Sequence, residues 1–490
     1  MIPEITDPIP LSDLGRVHLI AIGGAGVSVV ARLLAGRGVS VQGSDAAESA
    51  ALVALRNDGI TAWVGHDAAH VVDADGKPLV DTVVVSSAIR ENNPELAAAR
   101  AAGIRVIHRS QALASLMLGM RAVAVAGAHG KTTTSAMIAT VLHACGSDAS
   151  FAIGGTVRVA AEDGSISAIP GGYAGKADVL VAEADESDGS FLNYAPFIAV
   201  VTNVEPDHLD HYGTREAFDQ AFVEFAGKIV PGGCLVACQD DEGAASLAAA
   251  YRQSGGTVVT YGTDASSDVV ITNVTSNDHG AAATMAGPAI GDQPLDVTLS
   301  VPGSHMILNA ASAIITAVAL GIAPADAAAA VGKFVGTGRR FEERGEVGGV
   351  RVVDDYAHHP TEIEALLRAA RPVAGTGALR VLFQPHLFSR TRIFADRFAA
   401  ALALADDVIV TGIYKAREDV DPNVTARTIT DLLPQTASGG PVRAIEDRME
   451  AAHAMAQSAQ PGDLVLTVGA GDVTELGPVI LADLGQSAGS

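Results

Sequence analysis

A glycine-rich segment carries the residue types best suited to binding phosphate. Gly127–Thr134 reads GAHGKTTT and follows an apolar run at Val123–Ala126. In such a loop the backbone N–H groups surround phosphate oxygens, Lys131 neutralises the charge of the β- and γ-phosphates, and Thr132 offers a hydroxyl to Mg²⁺. Val125 stands where the common phosphate-binding loop has its first glycine, so this loop is a shortened form. The segment predicts a nucleotide-phosphate site with a metal ion.

Two acidic segments follow the next two apolar runs. EADESD occupies Glu183–Asp188, and TNVEPDHLD occupies Thr202–Asp210. Because the carboxyl ends of parallel strands meet at one edge of a sheet, we expect both segments to lie near Lys131. Their oxygens suit a hard cation, and an imidazole such as that of His208 can join a second metal site. A solvated acidic loop would explain either segment alone, but it does not explain two of them next to a phosphate loop.

A second glycine cluster follows an earlier apolar run. The candidates are Gly23, Gly24, Ala25 and Gly26, with Ser44 and Asp45 after the next run. Glycines let the backbone approach a pyrophosphate, and an acid about 20 residues further on can meet a ribose. The spacing is not a strict G-x-G-x-x-G, so it suits a dinucleotide and a sugar nucleotide equally. A strand-to-helix turn that uses glycine only for tight packing is the structural alternative.

Charged and aromatic residues form a third group in the last third of the chain. GRRFE occupies Gly338–Glu342, DDYAHHP occupies Asp354–Pro360, and Gln384, Pro385, His386, Ser389, Arg390 and Arg392 follow the next apolar run. An arginine can clamp a phosphoryl group or bind a carboxylate through two hydrogen bonds. An Asp-Tyr-His set at a strand end can hold a ribose or an amine. We expect these groups to share one edge of a sheet.

Short β-branched runs alternate with alanine-rich stretches along the chain, which predicts an α/β fold with parallel sheets. The predicted strands are Val17–Ile22, Val39–Gln42, Thr82–Val85, Val123–Ala126, Val179–Ala182, Ile198–Thr202, Val350–Asp354, Arg380–Gln384, Val408–Thr411 and Leu464–Val468. Helices are expected at Pro360–Arg371 and Thr391–Ala405, and a buried helix within His305–Ala325. The Thr-, Ser-, Asp- and Gly-rich stretch Asp240–Gly303 predicts short strands and turns.

The composition indicates packed globular domains. The 490 residues are 48% hydrophobic and 18% charged, and the length exceeds one domain of ~150 residues. A net charge of −24 disfavours nucleic acid and anionic lipid as partners. The three cysteines make no disulfide framework, and Met1–Asp13 has no basic region before an apolar core. We therefore expect a cytoplasmic protein without membrane insertion and without a nucleic-acid partner.

Taken together, these motifs resemble the Mur ligase family. The matching segments cover nearly the whole chain in order: His18–Ser28, Gly43–Asp45, Ser86–Ile89, Gly127–Thr134, Glu183–Phe191, Thr202–Tyr212, Gly303–Ala310, Arg339–Glu342, Asp354–Ile363, Phe383–Thr391 and Gly469–Asp472. The resemblance implies an ATP-dependent, Mg²⁺-dependent ligase of the bacterial cytoplasm. The implied reaction joins L-alanine to the lactyl carboxyl group of UDP-N-acetylmuramic acid through an acyl phosphate, as the first peptide-adding step of peptidoglycan precursor synthesis.

The resemblance also implies three domains. Residues 1–120 would form an N-terminal Rossmann-like domain that binds the UDP-sugar. Residues 121–338 would form a central P-loop ATPase-like domain that binds ATP and Mg²⁺. Residues 339–490 would form a C-terminal Rossmann-like domain that binds the amino acid. A monomer or a weak homodimer is expected.

Family roles carry over to matching positions. ATP is expected to contact Gly127, Ala128, His129, Gly130, Lys131, Thr132, Thr133, His305, Asn309, Arg340 and Asp355, with His305 and Asn309 beside the adenine. Thr132 and Glu183 are expected on one Mg²⁺ and His208 on a second. The nucleotide sugar is expected at Gly23, Gly24, Ala25, Gly26, Ser44, Asp45, Ser86 and Ser87. Tyr356, His358, His386 and Arg390 are expected to face the reacting carboxyl group and alanine, and the predicted catalytic set is Lys131, Glu183, His208, Arg340, His358 and Arg390.

The chain departs from the family pattern at three positions. Ala21 and Ala128 replace a glycine and a threonine that are common there, and both small residues should be tolerated. Leu387 replaces an arginine that many relatives have, which removes a cation near the substrate carboxyl group. The nearest alternative function is a ligase that attaches a tripeptide to the same nucleotide sugar, but Tyr356 stands where that group has phenylalanine. A dehydrogenase or a nucleotide sensor would leave most of the motifs unexplained.

Overall fold

The computed structural model describes residues 5–160, 165–206, 209–416 and 418–488. The chain divides into two compact units. The first comprises Met1–Asn273, Ala283–Thr298 and Leu308–Phe334, and the second comprises Val274–Ala282, Leu299–Ile307 and Val335–Ser490.

A five-stranded parallel sheet begins the first unit. Its elements are β1 Val17–Ile20, α1 Ala25–Gly36, β2 Val41–Asp45, α2 Ala50–Asn57, β3 Thr61–Val64, β4 Thr82–Val85, α3 Pro94–Ala101, β5 Arg105–His108 and α4 Arg109–Met117. The strand order is β3-β2-β1-β4-β5. Every residue of β1 and β4 is buried, as in strands covered by helices on both faces. The sheet changes winding direction between β1 and β4, which is where such sheets bind ligands.

A larger sheet follows. Its region contains β6 Arg121–Ala126, α5 Lys131–Ala144, β7 Ser150–Ala152, β8 Val157–Ala160, β9 Ile166–Ile169, β10 Gly172–Tyr173, β11 Val179–Glu183, β12 Ile198–Val201, α6 Leu209–Tyr212, α7 Arg215–Ala226, β13 Cys234–Cys238, α8 Glu242–Gln253, β14 Val258–Gly262, β15 Val269–Asn277, β16 Gly280–Ala286, β17 Leu295–Leu299, α9 Ser304–Ala319, α10 Pro324–Val331 and β18 Phe334–Thr337. The order is β10-β7-β11-β6-β12-β13-β14-β15-β16-β17. Strand β6 lies between β11 and β12, in parallel with both. The carboxyl ends of these three strands therefore converge at one edge.

The second unit contains a six-stranded sheet. Its elements are β19 Glu342–Val347, β20 Val350–Asp355, α11 Pro360–Ala374, β21 Leu379–Phe383, α12 Phe388–Ile393, α13 Ala395–Leu402, β22 Asp407–Thr411, α14 Arg427–Thr430, β23 Val442–Ile445, α15 Arg448–Ser458, β24 Leu464–Val468 and α16 Leu476–Ala488. The order is β19-β20-β24-β21-β22-β23, and only the β19–β20 pair is antiparallel. The carboxyl ends of β20, β24 and β21 are neighbours.

The predicted α/β class and parallel strands are confirmed, with small shifts in strand bounds. The buried helix expected within His305–Ala325 is α9. The strands predicted within Asp240–Gly303 are β14 to β17, but two element predictions were wrong in part. Asp240–Gly303 contains the helix α8, which begins where the Asp241 carboxylate accepts a hydrogen bond from the Ala244 N–H at 2.7 Å.

The single helix expected at Thr391–Ala405 is two helices, α12 and α13. The break falls at Phe394, whose backbone angles are −109° and 18°. The Phe394 ring packs edge-on against His359, with ring centroids 4.9 Å apart. Helical propensity does not reveal this break, because the ring contact at Phe394 is with a residue distant in sequence.

The turn between β1 and α1 contains a strained residue. Ala21 has a φ of 57°, in the left-handed region, where a Cβ costs roughly 1–2 kcal/mol. Ala21→Gly should raise the free energy of unfolding by about 0.5–1 kcal/mol, because relief of strain exceeds the extra entropy of an unfolded glycine. Chemical denaturation measures the change.

The same substitution in right-handed backbone is the control. Ala31→Gly, inside α1, should lower the free energy of unfolding by about 1 kcal/mol or more. If Ala21→Gly destabilised the protein as Ala31→Gly does, the strain assigned to Ala21 would be wrong.

Candidate active site

The phosphate loop joins β6 to α5 through two glycines that the backbone requires. Gly127 has a φ of 135°, and a Cβ there would lie 2.2 Å from the Thr202 Oγ1. Gly130 has a φ of 80° and precedes the first residue of α5. The first turn of α5 therefore offers its N–H groups without a side-chain cap, which suits an anion.

The end of β12 holds this loop in place. The Thr202 hydroxyl and the Asn203 amide both donate to the His129 carbonyl, at 2.6 and 3.0 Å. The His129 N–H donates in turn to the Asn203 Oδ1 at 3.0 Å. The His129 ring contacts Glu205, with 2.9 Å between Nε2 and Oε2. The predicted convergence of this strand end on the loop is confirmed.

Lys131 is the charged centre of the loop. Its ammonium group donates to the carbonyls of Gly127 and Ala128 at 2.6 and 3.3 Å, and to the Glu186 carboxylate at 2.9 Å. Burial by itself lowers the pKa of Lys131, but the nearby charges of Glu186 and Asp185 outweigh it, so the pKa lies above its ordinary value. Lys131 therefore stays cationic, as charge neutralisation of phosphate requires.

The carboxylates after β11 have different partners. Glu183 is half-buried and accepts a hydrogen bond from the Gly154 N–H at 3.1 Å. Asp185 pairs with Arg109, with 2.8 Å between Nη2 and Oδ2. Thr132 is half-buried and Thr133 is buried in the first turn of α5. The Thr132 hydroxyl and the Glu183 carboxylate offer oxygen ligands of the kind that Mg²⁺ prefers. The other predicted metal ligand, His208, lies outside the described residues.

The adenine candidates both lie on α9. The Asn309 side chain approaches the phosphate loop so closely that a Cβ on Gly130 would lie 3.0 Å from its Oδ1. His305 belongs to the second unit, where burial lowers its pKa to about 4, so its ring is neutral at pH 7.

The first glycine cluster caps α1 beside the end of β2. The Gly23 N–H donates to the Asp45 carboxylate at 2.9 Å, and a Cβ on Gly23 would lie 2.6 Å from the Leu52 Cδ1. Gly24 is the N-cap of α1, and Ala25 and Gly26 form its first turn, again without a side-chain cap. This end of the sheet is built for close approach of a polar ligand to the backbone.

The serines predicted at this site differ in exposure. Ser44 is fully buried, and its hydroxyl donates to Glu95 at 2.6 Å. Ser86 is half-buried. Ser87 is exposed, and its hydroxyl donates to Asp188 at 2.5 Å. Ser44 therefore lies behind the surface that a substrate would touch.

In the second unit, two buried carboxylates end β20. Asp354 is fully buried and accepts hydrogen bonds from the Arg339 guanidinium at 3.1 Å and the Thr467 hydroxyl at 2.8 Å. Asp355 accepts the backbone N–H groups of Phe341 and Ala357, each at 2.8 Å. Burial raises the pKa of Asp355 to about 6. These contacts tie β20 to the turn that precedes β19.

Arg340 lies between two strained residues in that turn. Its neighbours Arg339 and Phe341 have φ values of 57° and 48°, in the left-handed region. The guanidinium carbons of Arg339 and Arg340 both lie 4.9 Å from the centroid of the Tyr356 ring. Strain of this kind persists where surrounding contacts impose it and is concentrated at functional sites.

The remaining candidates form a row of contacts at the same sheet edge. The ring centroids of Tyr356 and His358 are 5.4 Å apart, and those of His358 and His386 are 5.8 Å apart. The buried Arg390 places Nη1 3.4 Å from the His386 Nδ1. The His386 ring also stacks on Tyr414, with centroids 5.7 Å apart. The structure thus brings these four predicted residues together.

Leu387 shows how the chain accommodates its departure from the family pattern. Its side chain is buried, and its φ is 70°. The Leu387 N–H donates to the Tyr414 carbonyl at 3.0 Å, and its own carbonyl accepts from the Thr391 hydroxyl at 2.7 Å. Residue 387 is therefore an apolar packing position here.

Two buried carboxylates, Glu186 and Glu95, were not predicted as site residues from the sequence. Glu186 was only one member of an acidic segment, yet it is the ion-pair partner of Lys131. Glu95 carried no local signal, because its partners are distant in sequence. The signal that could have predicted Glu186 is Lys131 itself, because a lysine that the fold partly encloses needs a carboxylate nearby.

Because the pKa of Asp355 is raised in the folded protein, the free energy of unfolding should depend on pH. The unfolded chain releases this proton near pH 3.8, and the folded protein keeps it to about pH 6. Stability that is present below pH 3.8 is therefore lost as the pH rises through 6. Relative to Asp355→Asn, the wild type should lose on the order of 3 kcal/mol of unfolding free energy between pH 3.5 and 7.

Denaturant titrations of both proteins across this range measure the difference. Other titrating groups cancel in the comparison. A difference that is flat with pH would contradict the assigned environment of Asp355.

Three family models match the chain. The Mur ligase family catalytic domain matches residues 16–121, the Mur ligase middle domain matches 125–317, and the Mur ligase glutamate ligase domain matches 339–471. No helix in the described ranges is both long and apolar enough to cross a membrane.

Similar proteins span almost the whole chain. UDP-N-acetylmuramate–L-alanine ligase of Kineococcus radiotolerans is 56% identical over 468 residues, which are 96% of each chain. The crystal structure of UDP-N-acetylmuramate–alanine ligase from Thermotoga maritima has a TM-score of 0.75 at 28% identity, over 96% of this chain and 99% of that one. A murein peptide ligase from Psychrobacter arcticus has a TM-score of 0.69 at 25% identity, over 96% and 99%. The chain belongs to the Mur ligase family.

Proposed function

We propose that this protein is an ATP-dependent ligase that joins L-alanine to UDP-N-acetylmuramic acid. The observation that carries the proposal is the 56% identity, over 96% of both chains, to a relative with that activity in its name. The phosphate loop supports it, because Lys131 is cationic and the first turn of α5 is uncapped. The products would be UDP-N-acetylmuramoyl-L-alanine, ADP and phosphate.

The residues around the loop fit ATP with Mg²⁺. Gly127–Thr133 and Lys131 would hold the phosphates, and Thr132 and Glu183 offer oxygen ligands to the metal ion. Asn309 lies beside the loop and would contact the nucleotide. Mg²⁺, when bound, supplies positive charge to the phosphate oxygens. His208 would complete a second metal site.

The chemistry explains why a cationic loop is needed. A carboxylate is a poor acyl donor, so its oxygen first attacks the γ-phosphorus of ATP, and ADP leaves. The neutral amine of alanine then attacks the acyl phosphate carbon, the C–O bond breaks, phosphate leaves and one proton is released. Lys131 stabilises the negative charge on phosphate, which for one well-placed donor is worth roughly 2.7–4 kcal/mol.

The other candidate residues divide among the nucleotide sugar, ATP and alanine. The Gly23–Gly26 turn with Asp45, Ser86 and Ser87 would bind the nucleotide sugar. In the second unit, Arg340 and Asp355 would bind ATP, and Tyr356, His358, His386 and Arg390 would act on the carboxyl group and alanine.

We assign the binding of the nucleotide sugar to residues 1–120, the binding of ATP and Mg²⁺ to residues 121–338, and the binding of the amino acid to residues 339–490. This division is supported by the three family models, which match three separate segments of the chain. A cytoplasmic location and a monomer or weak homodimer belong to the same proposal.

The alternative, attachment of a tripeptide, is less well supported. The murein peptide ligase neighbour is 25% identical to this chain, whereas the alanine-adding relative is 56% identical. Tyr356 stands where the tripeptide-attaching group has phenylalanine, and this difference also favours alanine as the acceptor.

Release of phosphate from ATP tests the proposal. Purified protein with Mg²⁺ and ATP should release phosphate when UDP-N-acetylmuramic acid and L-alanine are both present, and neither substrate alone should support turnover. Release with the tripeptide but not with alanine would establish the alternative. Release with neither acceptor would contradict the ligase assignment.

Two variants connect this activity to the loop. Lys131→Ala should reduce turnover at least ~10²-fold, because one donor to a developing charge is lost, while the circular dichroism spectrum stays unchanged. Lys176→Ala removes an exposed lysine of the same unit and should leave turnover unchanged. Normal turnover in Lys131→Ala would show that the loop does not carry the chemistry.

A further inference from the structure

A fully buried carboxylate lies behind the proposed nucleotide-sugar site. Glu95 is in the first turn of α3 and has no exposed surface. An ionised carboxylate in such a place is costly unless polar groups surround it. The proposed chemistry does not use Glu95, so the presence of a buried charge at this place needs another explanation.

Four side chains, from β1, β2 and the segment between β3 and β4, converge on this carboxylate. Its Oε1 lies 2.7 Å from the His70 Nδ1 and 3.4 Å from the His18 Nε2. Its Oε2 accepts from the Ser44 hydroxyl at 2.6 Å and lies 3.1 Å from the His66 Nδ1. Although burial raises the pKa of Glu95, the close contact with the His18 ring and the hydrogen bond from Ser44 lower it to about 2. Glu95 is therefore an acceptor for every partner at neutral pH.

Because the ionised Glu95 carboxylate can only accept hydrogen bonds, it determines which atoms of its partners carry protons. Ser44 donates to Glu95, and its hydroxyl oxygen lies 2.8 Å from the His66 Nδ1. The proton of His66 therefore resides on Nδ1, directed at Ser44 and Glu95, and Nε2 is the ring nitrogen that these contacts do not use. The His66 side chain is 20% exposed, whereas Glu95 is 0% exposed. Glu95 thus sets the tautomer and orientation of a ring that reaches the surface.

Backbone hydrogen bonds connect Ser44 and its neighbour Asp45 to the proposed substrate-binding residues. Ser44 precedes Asp45, which accepts the Gly23 N–H at 2.9 Å. The Ser44 carbonyl accepts the Ile22 N–H at 2.9 Å, and the Asp45 carbonyl accepts the Gly65 N–H at 2.7 Å. A shift of Ser44 would therefore move both the glycine turn after β1 and the segment after β3.

We propose that Glu95 is a positioning residue for the nucleotide-sugar site, which holds Ser44 and His66 in the geometry that binds the UDP-sugar. The inference rests on the proposed function for the identity of the ligand. Glu95 does not touch the substrate and acts through Ser44 and His66. Its loss should therefore weaken binding of one substrate and leave phosphoryl transfer from bound substrates nearly unchanged.

Glu95→Gln is the sharpest variant, because it keeps the shape and removes the obligatory acceptor. It should raise the KM for UDP-N-acetylmuramic acid at least tenfold. The KM values for ATP and L-alanine should stay within twofold, and kcat within threefold. Calorimetric titration with UDP-N-acetylmuramic acid alone should show the same loss of affinity, so the test does not depend on turnover.

The single tryptophan of the chain provides a spectroscopic readout. Trp63 stacks on His70 with ring centroids 4.4 Å apart and planes 9° apart, and His70 contacts Glu95. Glu95→Gln should change the emission of Trp63, because the ring beneath it loses its carboxylate partner. An unchanged spectrum would contradict the described network.

A purely structural role predicts a different pattern. Asp463→Asn, at a buried carboxylate that pairs with Arg380 in the second unit, is the matched control. It should lower the melting temperature without changing any KM. If Glu95→Gln behaved like this control, the inference would be overturned.

A second variant covers the case in which Glu95→Gln does not fold. Ser44→Ala removes one donor and should raise the KM for the nucleotide sugar three- to tenfold. Normal affinity in this variant would overturn the inference while leaving the proposed function intact. A wild type that neither binds nor turns over the nucleotide sugar would overturn the proposed function, and this inference with it.

Discussion

The partly buried ammonium group of Lys131 is the constraint on which the arrangement of the phosphate loop depends. It lies at the amino-terminal end of α5, where the helix dipole is also positive, so the folded protein must place negative charge nearby. Glu186, itself 1% exposed, and two loop carbonyls meet that need. The acidic segment after β11 is therefore part of the phosphate loop, although it is more than 50 residues away in sequence.

The same arrangement recurs at the five-stranded sheet that begins the first unit and at the six-stranded sheet of the second unit. In each, a buried charged group near the carboxyl ends of the strands organises the polar residues around it: Glu95 in the first, Lys131 with Glu186 in the second, and Asp354 with Arg339 in the third. The helices and parallel strands place the segments, and these charges fix the hydrogen-bond directions within them. A site assembled from such separate segments needs both the regular elements and the buried charges, because the strand ends alone do not determine the conformation of the loops.

Much of this organisation was predictable from the sequence. Continuous apolar runs identified the strands that end at Ala126, Glu183 and Val201, and the residues that follow each run met as expected. Partners that depend on tertiary packing were not predictable. Neither the contact of Glu95 with His18, Ser44, His66 and His70 nor the helix break at Phe394 has a local signature. The left-handed backbone at Ala21, Arg339 and Leu387 was also unexpected, because side chains with a Cβ rarely adopt it.

The central claim is that the chain activates a carboxyl group by phosphorylation, and isotope transfer tests it most directly. UDP-N-acetylmuramic acid labelled with ¹⁸O in both lactyl carboxyl oxygens is supplied with unlabelled ATP and L-alanine, and the released phosphate is analysed by mass spectrometry. The account predicts one ¹⁸O in each phosphate formed and one in the new amide. Phosphate without ¹⁸O, released in step with amide formation, would contradict it.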